Sequence, residues 1–464
     1  MNIKRMAGIT GVVLACGILA AVGRSLSKEK KCQVLDEEGT IIAEIIYQDQ
    51  AVHYDCKEGY EAYADLAYRE AAAIMKERED VELSEAYGKL AEEEMRIRTS
   101  FRTDTAEGLL QACKEDKDSV FGGQAMEKAA AVSDTNGHLL ACYSQSMAEP
   151  FRNYVMYPTY AGSTIKPVSV YGPAIEDHKI CWSSLYLDNA YYQITGEDKE
   201  KTDWPVNSYP YSNTLWTVQE ALQKSNNAIA VKVLKDYGVE KSCKFLQNEF
   251  EIGTEEEQKR ILEKGEDSVL SNLALGYLEE GVTMQEMMGA YQTFANGGLY
   301  TKIHTVTDME TGAGESYYHE ESEARQVFGA DTAYIMNRML KTVVEEGGTG
   351  RSAAVEGLDI CGKTGTSDDF KDNWFIGMTP EYVCAVWYEF RGGMAGNESA
   401  SVFRKIMENL KHDKEAAYPA SENVEKGGYC LKTGLLANEY CKEQKQGYYR
   451  KNNNLNKCEC NIAR

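Results

Sequence analysis

The chain has 464 residues, 43% of them hydrophobic and 10% aromatic, and a formal net charge of -23. That apolar content supports one large or two to three ordinary folded domains and excludes wholesale disorder. Fifty Lys and Arg against 73 Asp and Glu exclude a nucleic-acid binder, because phosphate backbones need a basic face, and they disfavour adhesion to anionic lipid headgroups.

In chain order, a short tail (residues 1–5) precedes an uncharged run over 6–23 that reads as a single uncleaved membrane anchor. Arg24, Lys28, Lys30 and Lys31 follow it, so the positive-inside count does not orient the span. A lipoprotein reading would cleave at Cys16, but apolar residues continue to Val22. Residues 24–115 read as a helical juxtamembrane and linker region. Within it, residues 60–94 are rich in Ala, Glu, Tyr and Lys, predicting helices with solvated acidic faces. Apolar runs at 129–132 and 138–143 flank Asp134-Thr135-Asn136-Gly137, a strong hairpin signal.

A polar, aromatic stretch with Trp204-Pro205 and Tyr209-Pro210 leads to a helical run over 217–233. Residues 254–268 are highly charged and read as an exposed helix or loop. Residues 273–296 read as one packed helix ended by Gly297-Gly298. Three strands are expected over 359–366, 374–379 and 382–390. Hairpins at both ends with helices between them predict an α+β fold on an antiparallel sheet.

Thirteen cysteines occur without a CxxC pair of the kind that marks a zinc ribbon. Cys142, Cys361 and Cys384 fall in apolar runs and read as small buried hydrophobes. Cys430, Cys441, Cys458 and Cys460 lie in a polar tail, residues 412–464, where either a disulfide staple or free thiols fits.

Three short motifs carry the chemistry: Ser163-x-x-Lys166, Ser225-x-Asn227 and Lys363-Thr364-Gly365-Thr366. The first is weak alone, since Ser25/Lys28 and Ser27/Lys30 have the same spacing. On a helix it places a lysine amine one turn from a serine hydroxyl, which needs a base to become nucleophilic. A rival reading exists for the third. Residues 357–364 fit the phosphate-loop pattern GxxxxGK[ST], but their interior is strand-like, Asp359 would oppose phosphate, and no convincing helix follows. The loop Glu346-Gly347-Gly348-Thr349-Gly350 is no phosphate cradle either. No HExxH, calcium loop or dinucleotide fingerprint occurs, so neither metal nor cofactor is expected in the chemistry.

In this order the three motifs match the signature of penicillin-binding proteins and serine β-lactamases. The chain resembles the penicillin-binding protein transpeptidases, the class A type more than class B, from about Arg96 onward. Further matching segments are residues 96–101 (a linker strand), 294–298 and 372–377, and the tail with Cys430, 434–437 and Cys441 is similar to some class A C-termini. The implied fold is β-lactamase/transpeptidase-like, an antiparallel sheet with helices on both faces, with the penicillin-binding domain at 116–411.

The resemblance implies a peptidoglycan D,D-transpeptidase acting on D-Ala-D-Ala stem peptides. Ser163 would attack the amide carbonyl, Lys166 hold its proton and Ser225 relay it to the leaving amine. Lys363 would add a fixed positive charge that keeps Lys166 from protonating and attracts a carboxylate. Thr364 and Thr366 would bind that carboxylate, Gly365 would open the strand to substrate, Asn227 would hold a substrate amide, and the amides of Ser163 and Thr366 would form the oxyanion hole. Ala161 replaces a usual proline and Ser367 a usual threonine, without loss of a reacting group.

Class A proteins carry a glycosyltransferase domain between anchor and linker; here residues 62–95 resemble only its helical end. Glycan polymerisation is therefore expected from a separate polymerase. The expected location is the cell membrane, single-pass, with the catalytic domain extracytoplasmic and β-lactams as inhibitors. Two rivals share the acylation site: a membrane-anchored β-lactamase, which lacks an ExxLN-like segment here, and a β-lactam or cell-wall sensor.

Overall fold

The computed structural model describes residues 30–48, 51–115, 127–146, 151–195, 201–263, 265–321, 323–367, 371–389, 398–451 and 455–460. The expected anchor at 6–23 and the tail at 1–5 lie outside the described residues. Among the described residues, no helix is long and apolar enough to cross a membrane.

The chain begins with β1 (Cys32–Leu35), β2 (Ile41–Gln48) and β3 (Ala51–Cys56), followed by α1 (Glu61–Glu79), α2 (Leu83–Glu92), β4 (Arg96–Thr99) and α3 (Thr103–Glu115). The three strands depart from the expectation for 24–115, a helical juxtamembrane and linker region whose linker strand is placed at 96–101. Their signal is masked because β2 carries the adjacent pairs Ile41-Ile42 and Ile45-Ile46 instead of strict apolar alternation. The acidic residues of α1 also do more than solvate: Asp65 is buried, accepting from Tyr54 (2.8 Å) and Asn153 (3.0 Å) and pairing with Arg69 at 2.8 Å.

β5 (Glu127–Asp134) and β6 (Leu139–Gln145) form the expected hairpin. Asp134 Oδ1 accepts from the amides of Asn136 (2.8 Å) and His138 (3.0 Å), while Gly137 supplies the φ of +102° that the turn needs. A 3-10 turn, Gly162–Ile165, runs into a π-helical turn, Pro167–Tyr171, and then α4 (Gly172–Glu176). Two short ribbons follow, β7 (Leu185–Leu187) with β10 (Leu215–Thr217) and β8 (Tyr192–Thr195) with β9 (Lys201–Trp204).

The helical run at 217–233 is in fact two helices, α5 (Val218–Gln223) and α6 (Asn227–Tyr237), broken at Ser225, which adopts φ +57°. Two capping devices impose the break: a Thr217/Glu220 capping box starts α5, and Asn226 caps α6 by accepting from Ile229 N at 2.8 Å. α7 (Val239–Phe250) and α8 (Glu255–Glu263) come next. The expected single helix at 273–296 also divides, into α9 (Glu266–Leu275) and α10 (Met284–Ala295). Gly276 ends the first at φ +84°, and a Thr283/Glu286 capping box opens the second. Gly297 and Gly298 end α10 as expected.

β11 (Leu299–Tyr300), β12 (Val306–Glu310), β13 (Ser316–His319), β14 (Arg325–Gln326) and α11 (Ala330–Val344) lead to three strands, β15 (Cys361–Thr366), β16 (Asp372–Met378) and β17 (Tyr382–Glu389). α12 (Glu398–Asn409) and a tail hairpin, β18 (Val424–Cys430) and β19 (Gln444–Arg450), complete the chain. The central sheet is antiparallel, in the order β15-β16-β17-β5-β6. α12 covers one face, where Phe403 meets Phe375 at 4.8 Å and a side chain at Gly377 would collide with it. α10 and the 3-10 turn lie on the other. Helices on both faces give the α+β architecture anticipated above. A second sheet, β13-β12-β4-β1-β2-β3, ties residues 32–56 and the linker strand β4 to the strands at 306–319.

Candidate active site

Ser163 sits in the 3-10 turn at the end of the sheet, against the edge strand β15. Two glycines permit the approach. A Cβ at Gly365 would lie 2.7 Å from Ala161 O and from Thr164 Cγ2, and one at Gly162, already at φ +52°, would lie 2.7 Å from Thr366 O. Gly276 presses on Gly162 from behind, where a Cβ would overlap the Gly162 backbone. Gly365 thus opens the strand to the nucleophile's own turn, a closer partner than the substrate expected from sequence. Tyr291 OH anchors the turn by donating to Thr164 O (2.7 Å), and Trp374 Nε1 donates to Tyr160 O (3.0 Å).

Lys166, one turn beyond Ser163, is fully buried. Its Nζ donates to the Ser225 carbonyl (2.9 Å) and to Asn227 Oδ1 (2.6 Å). Ser225 can present that carbonyl because it occupies the left-handed region between α5 and α6, a conformation an ordinary helix would forbid. Asn227, expected to hold a substrate amide, accepts from Lys166 through Oδ1, and its Nδ2 donates to Val206 O (2.7 Å).

From the opposite wall, Lys363 Nζ donates to Ser225 Oγ (2.8 Å) and to Thr364 O (2.8 Å). Lys363 is fully buried, and desolvation pushes its amine down from the usual lysine range to about 7. The charge expected to be fixed is therefore titratable near neutrality. Lys166, Ser225, Asn227 and Lys363 form one hydrogen-bonded cluster, with Ser225 between the two lysines: one bonds its carbonyl and the other its hydroxyl, and Ser163 stands one turn before Lys166.

The remaining predicted residues line the same edge. Thr364 Oγ1 shares a hydrogen bond with Thr349 Oγ1 at 2.7 Å, and Thr366, the last residue of β15, lies against Gly162. The strand pairing of Lys363 with Ile376 and Thr364 with Phe375 removes the phosphate-loop reading, which requires a loop opening into a helix.

Sequence reasoning missed the support beneath Ser225. Buried Asp188 accepts from Asn226 Nδ2 (2.8 Å), Asn207 Nδ2 (3.1 Å) and Ser212 N (2.8 Å), and Asn207 Oδ1 accepts from Asn227 N at 2.7 Å. Neither residue lies in a motif; the only signal was a polar Asp and Asn within an aromatic stretch. Thr349 was likewise hidden in a glycine-rich loop.

Residues 128–408 match the family model for the penicillin binding protein transpeptidase domain. The chain is 31% identical over 278 residues to penicillin-binding protein 1A of Clostridium botulinum, covering 57% of this chain and 31% of that protein. It is 35% identical over 235 residues to penicillin-binding protein 1F of Bacillus subtilis, covering 49% and 29% respectively. The chain thus spans about a third of the length of these curated relatives.

Among solved structures, penicillin-binding protein 1A from Haemophilus influenzae aligns with a TM-score of 0.65 and 17% identity, over 86% of this chain and 77% of that one. Penicillin binding protein 3 from Mycobacterium tuberculosis, complexed with aztreonam, aligns with a TM-score of 0.62 and 17% identity, over 84% and 99%. These likenesses carry the fold, and the family match covers the three motifs in a single span. The chain belongs to the penicillin-binding protein transpeptidase family.

Proposed function

We propose that this protein is a peptidoglycan D,D-transpeptidase working through an acyl-enzyme on Ser163. The observation that carries the reading is the arrangement around Ser225. Buried Lys166 is held one turn from Ser163, and Ser225 Oγ is bonded to Lys363, whose amine titrates near neutrality.

In the first step Ser163 Oγ bonds to the carbonyl carbon of the penultimate D-Ala, and its proton passes to Lys166. Ser225 and Lys363 return a proton to the departing D-Ala amine as the C–N bond breaks. An acceptor amine then attacks the ester carbonyl and gives up a proton through Ser225 to Lys363, while the acyl–Oγ bond breaks and Lys166 returns its proton to Ser163 Oγ; water attacking in the amine's place gives carboxypeptidase activity. The close approach of Gly162 to Thr366 supports an oxyanion hole from the amides of Ser163 and Thr366. Thr364, Thr366 and charged Lys363 suit the terminal carboxylate, which β-lactams also carry.

The protein acts as a single-pass membrane enzyme with this domain outside the membrane, cross-linking strands made by a separate polymerase. Incubation with labelled penicillin should modify Ser163 in the wild type and leave Ser163→Ala unlabelled; label elsewhere, or none, would sink the proposal. An acyl-enzyme lasting minutes or less would favour the β-lactamase reading. Acylation without cross-linking of nascent glycan, with or without an added polymerase, would favour the sensor.

A further inference from the structure

The tail beyond α12 contains a second polar cluster. Cys430 at the end of β18, Cys441 before β19, and Cys458 and Cys460 in the last described segment bring their sulfurs within 4.8 Å of one another. The Sγ of Cys460 lies 3.5 Å from that of Cys430, 3.9 Å from that of Cys441 and 2.9 Å from that of Cys458. A disulfide would join sulfurs in twos at about 2.0 Å. Four thiolates around a tetrahedral zinc ion, with Zn–S about 2.3 Å, stand about 3.8 Å apart. The observed set is a group of four.

Backbone and side-chain donors point at the same sulfurs. Thr433 Oγ1 donates to Cys458 Sγ (3.2 Å), Asn438 N to Cys441 Sγ (3.4 Å) and Cys460 N to Cys458 Sγ (3.3 Å). Such N–H and O–H contacts stabilise sulfur that carries negative charge. A tight turn after Cys430 leads to Gly434 at φ +69°, whose amide donates back to the Cys430 carbonyl at 2.8 Å. Cys458 N donates to Leu436 O at 2.7 Å, closing the terminal segment onto that turn.

Two further observations favour an ion. Cys430, Cys441 and Cys458 are buried in a small cluster separate from the main core, flanked among the described residues by Leu435, Ala437 and Cys460, which is little apolar surface to hold the turn after Cys430 and the terminal segment together. Residues 430–460 also carry six basic side chains against three acidic ones in a chain of net charge -23, which suits the double negative charge of zinc held by four thiolates.

We propose that Cys430, Cys441, Cys458 and Cys460 bind one zinc ion as four thiolates, releasing their protons to solvent, and that this ion staples the segments carrying them to one another. The spacing lacks a CxxC pair, so neither the disulfide nor the free-thiol expectation anticipated it. The tail docks close to the catalytic helices. Lys445 pairs with Glu220 of α5 (2.8 Å), Arg450 with Asp331 of α11 (2.6 Å), and Ser183 Oγ donates to Gly434 O (2.6 Å).

The test uses the full chain, purified in detergent with reductant and without oxygen. Elemental analysis should find about one zinc per chain, and cobalt(II) exchanged into the wild type should give the strong visible bands of a tetrahedral thiolate site. Cys430→Ser with Cys458→Ser should lose the metal, whereas Cys56→Ser should keep it. Denaturation with EDTA and no reductant should leave all four tail thiols open to alkylation. A wild-type chain without zinc after reconstitution, absent cobalt bands, or tail cysteines recovered as disulfides would each overturn the proposal, whether or not the serine variants fold.

Discussion

The cleft and the tail each gather polar groups from distant parts of the chain, but they are held by different physics. In the cleft, residues 59 to 138 positions apart are joined by hydrogen bonds to lysines sunk in a continuous apolar core. In the tail, four sulfurs converge with little apolar surface behind them. A large core can impose a strained residue such as Ser225 and a desolvated lysine such as Lys363 because surrounding packing bears their cost. The sulfur cluster has little such reserve, although Tyr429 and Tyr449 seat the neighbouring hairpin on the main core, so its geometry depends on the groups at its centre.

The largest expected effect separates the two. Ser163→Ala should reduce covalent penicillin labelling by more than about a thousandfold, measured by intact mass, without changing tail zinc content or thermal stability. Next comes the packing of the cleft. Gly365→Ala drives a methyl into Ala161 O and Thr164, and should cost about 1–3 kcal/mol in denaturant unfolding while slowing acylation at least tenfold. If Gly365→Ala acylates normally, the close seating of β15 on the Ser163 turn is not needed.

The third prediction concerns Lys363. It is charged below pH about 7 and neutral above, because burial disfavours the ammonium. Acylation by a carboxylate-bearing β-lactam should therefore fall above pH about 7, approaching tenfold per pH unit. Lys363→Arg, which stays charged, should flatten that limb even if its overall rate is lower. The same shift bears on stability: the unfolded chain binds the extra proton between about 7 and the ordinary lysine value, so this group's contribution grows as pH rises through that window.

Asp188→Asn should cost about 1–3 kcal/mol, since an amide in its place meets the donors of Asn207, Asn226 and Ser212, and it should slow acylation through Ser225 without touching substrate. Smallest of all, removing zinc from the tail should lower the thermal stability of that segment and leave acylation within about twofold, because buried Tyr429 and Tyr449 seat the β18–β19 hairpin on the main core independently of the sulfurs. A large loss of acylation on chelation would show that the tail sets the position of Ser225.

Much of this was readable in the chain. The hairpin at 134–137 carries its own turn chemistry, and strands β15 to β17 follow from apolar runs bounded by breakers. Motif order singles out Ser163, Lys166, Ser225, Asn227 and Lys363, and hydrogen bonds join the last four of them. The breaks at Ser225 and Gly276 were not read, although Thr217/Glu220, Asn226 and Thr283/Glu286 are visible caps. A long apolar pattern overrides such local signals when no neighbouring helix is there to reveal the turn. Asp188, Asn207 and Thr349 were missed because each acts through a partner distant in sequence.

By itself the sequence determined which reactive groups exist and in what order, since Ser-x-x-Lys on one turn is a local arrangement and KTGT is a strand motif. It also determined the local devices, the caps, the glycines and the hairpin, because these depend on neighbours within a few residues. Only the tertiary structure decided that Ser225 stands between two buried lysines, that Lys363 loses its proton near neutrality, and that four scattered cysteines meet. Desolvation and long-range hydrogen bonds exist only once the core has excluded water and brought remote segments into contact.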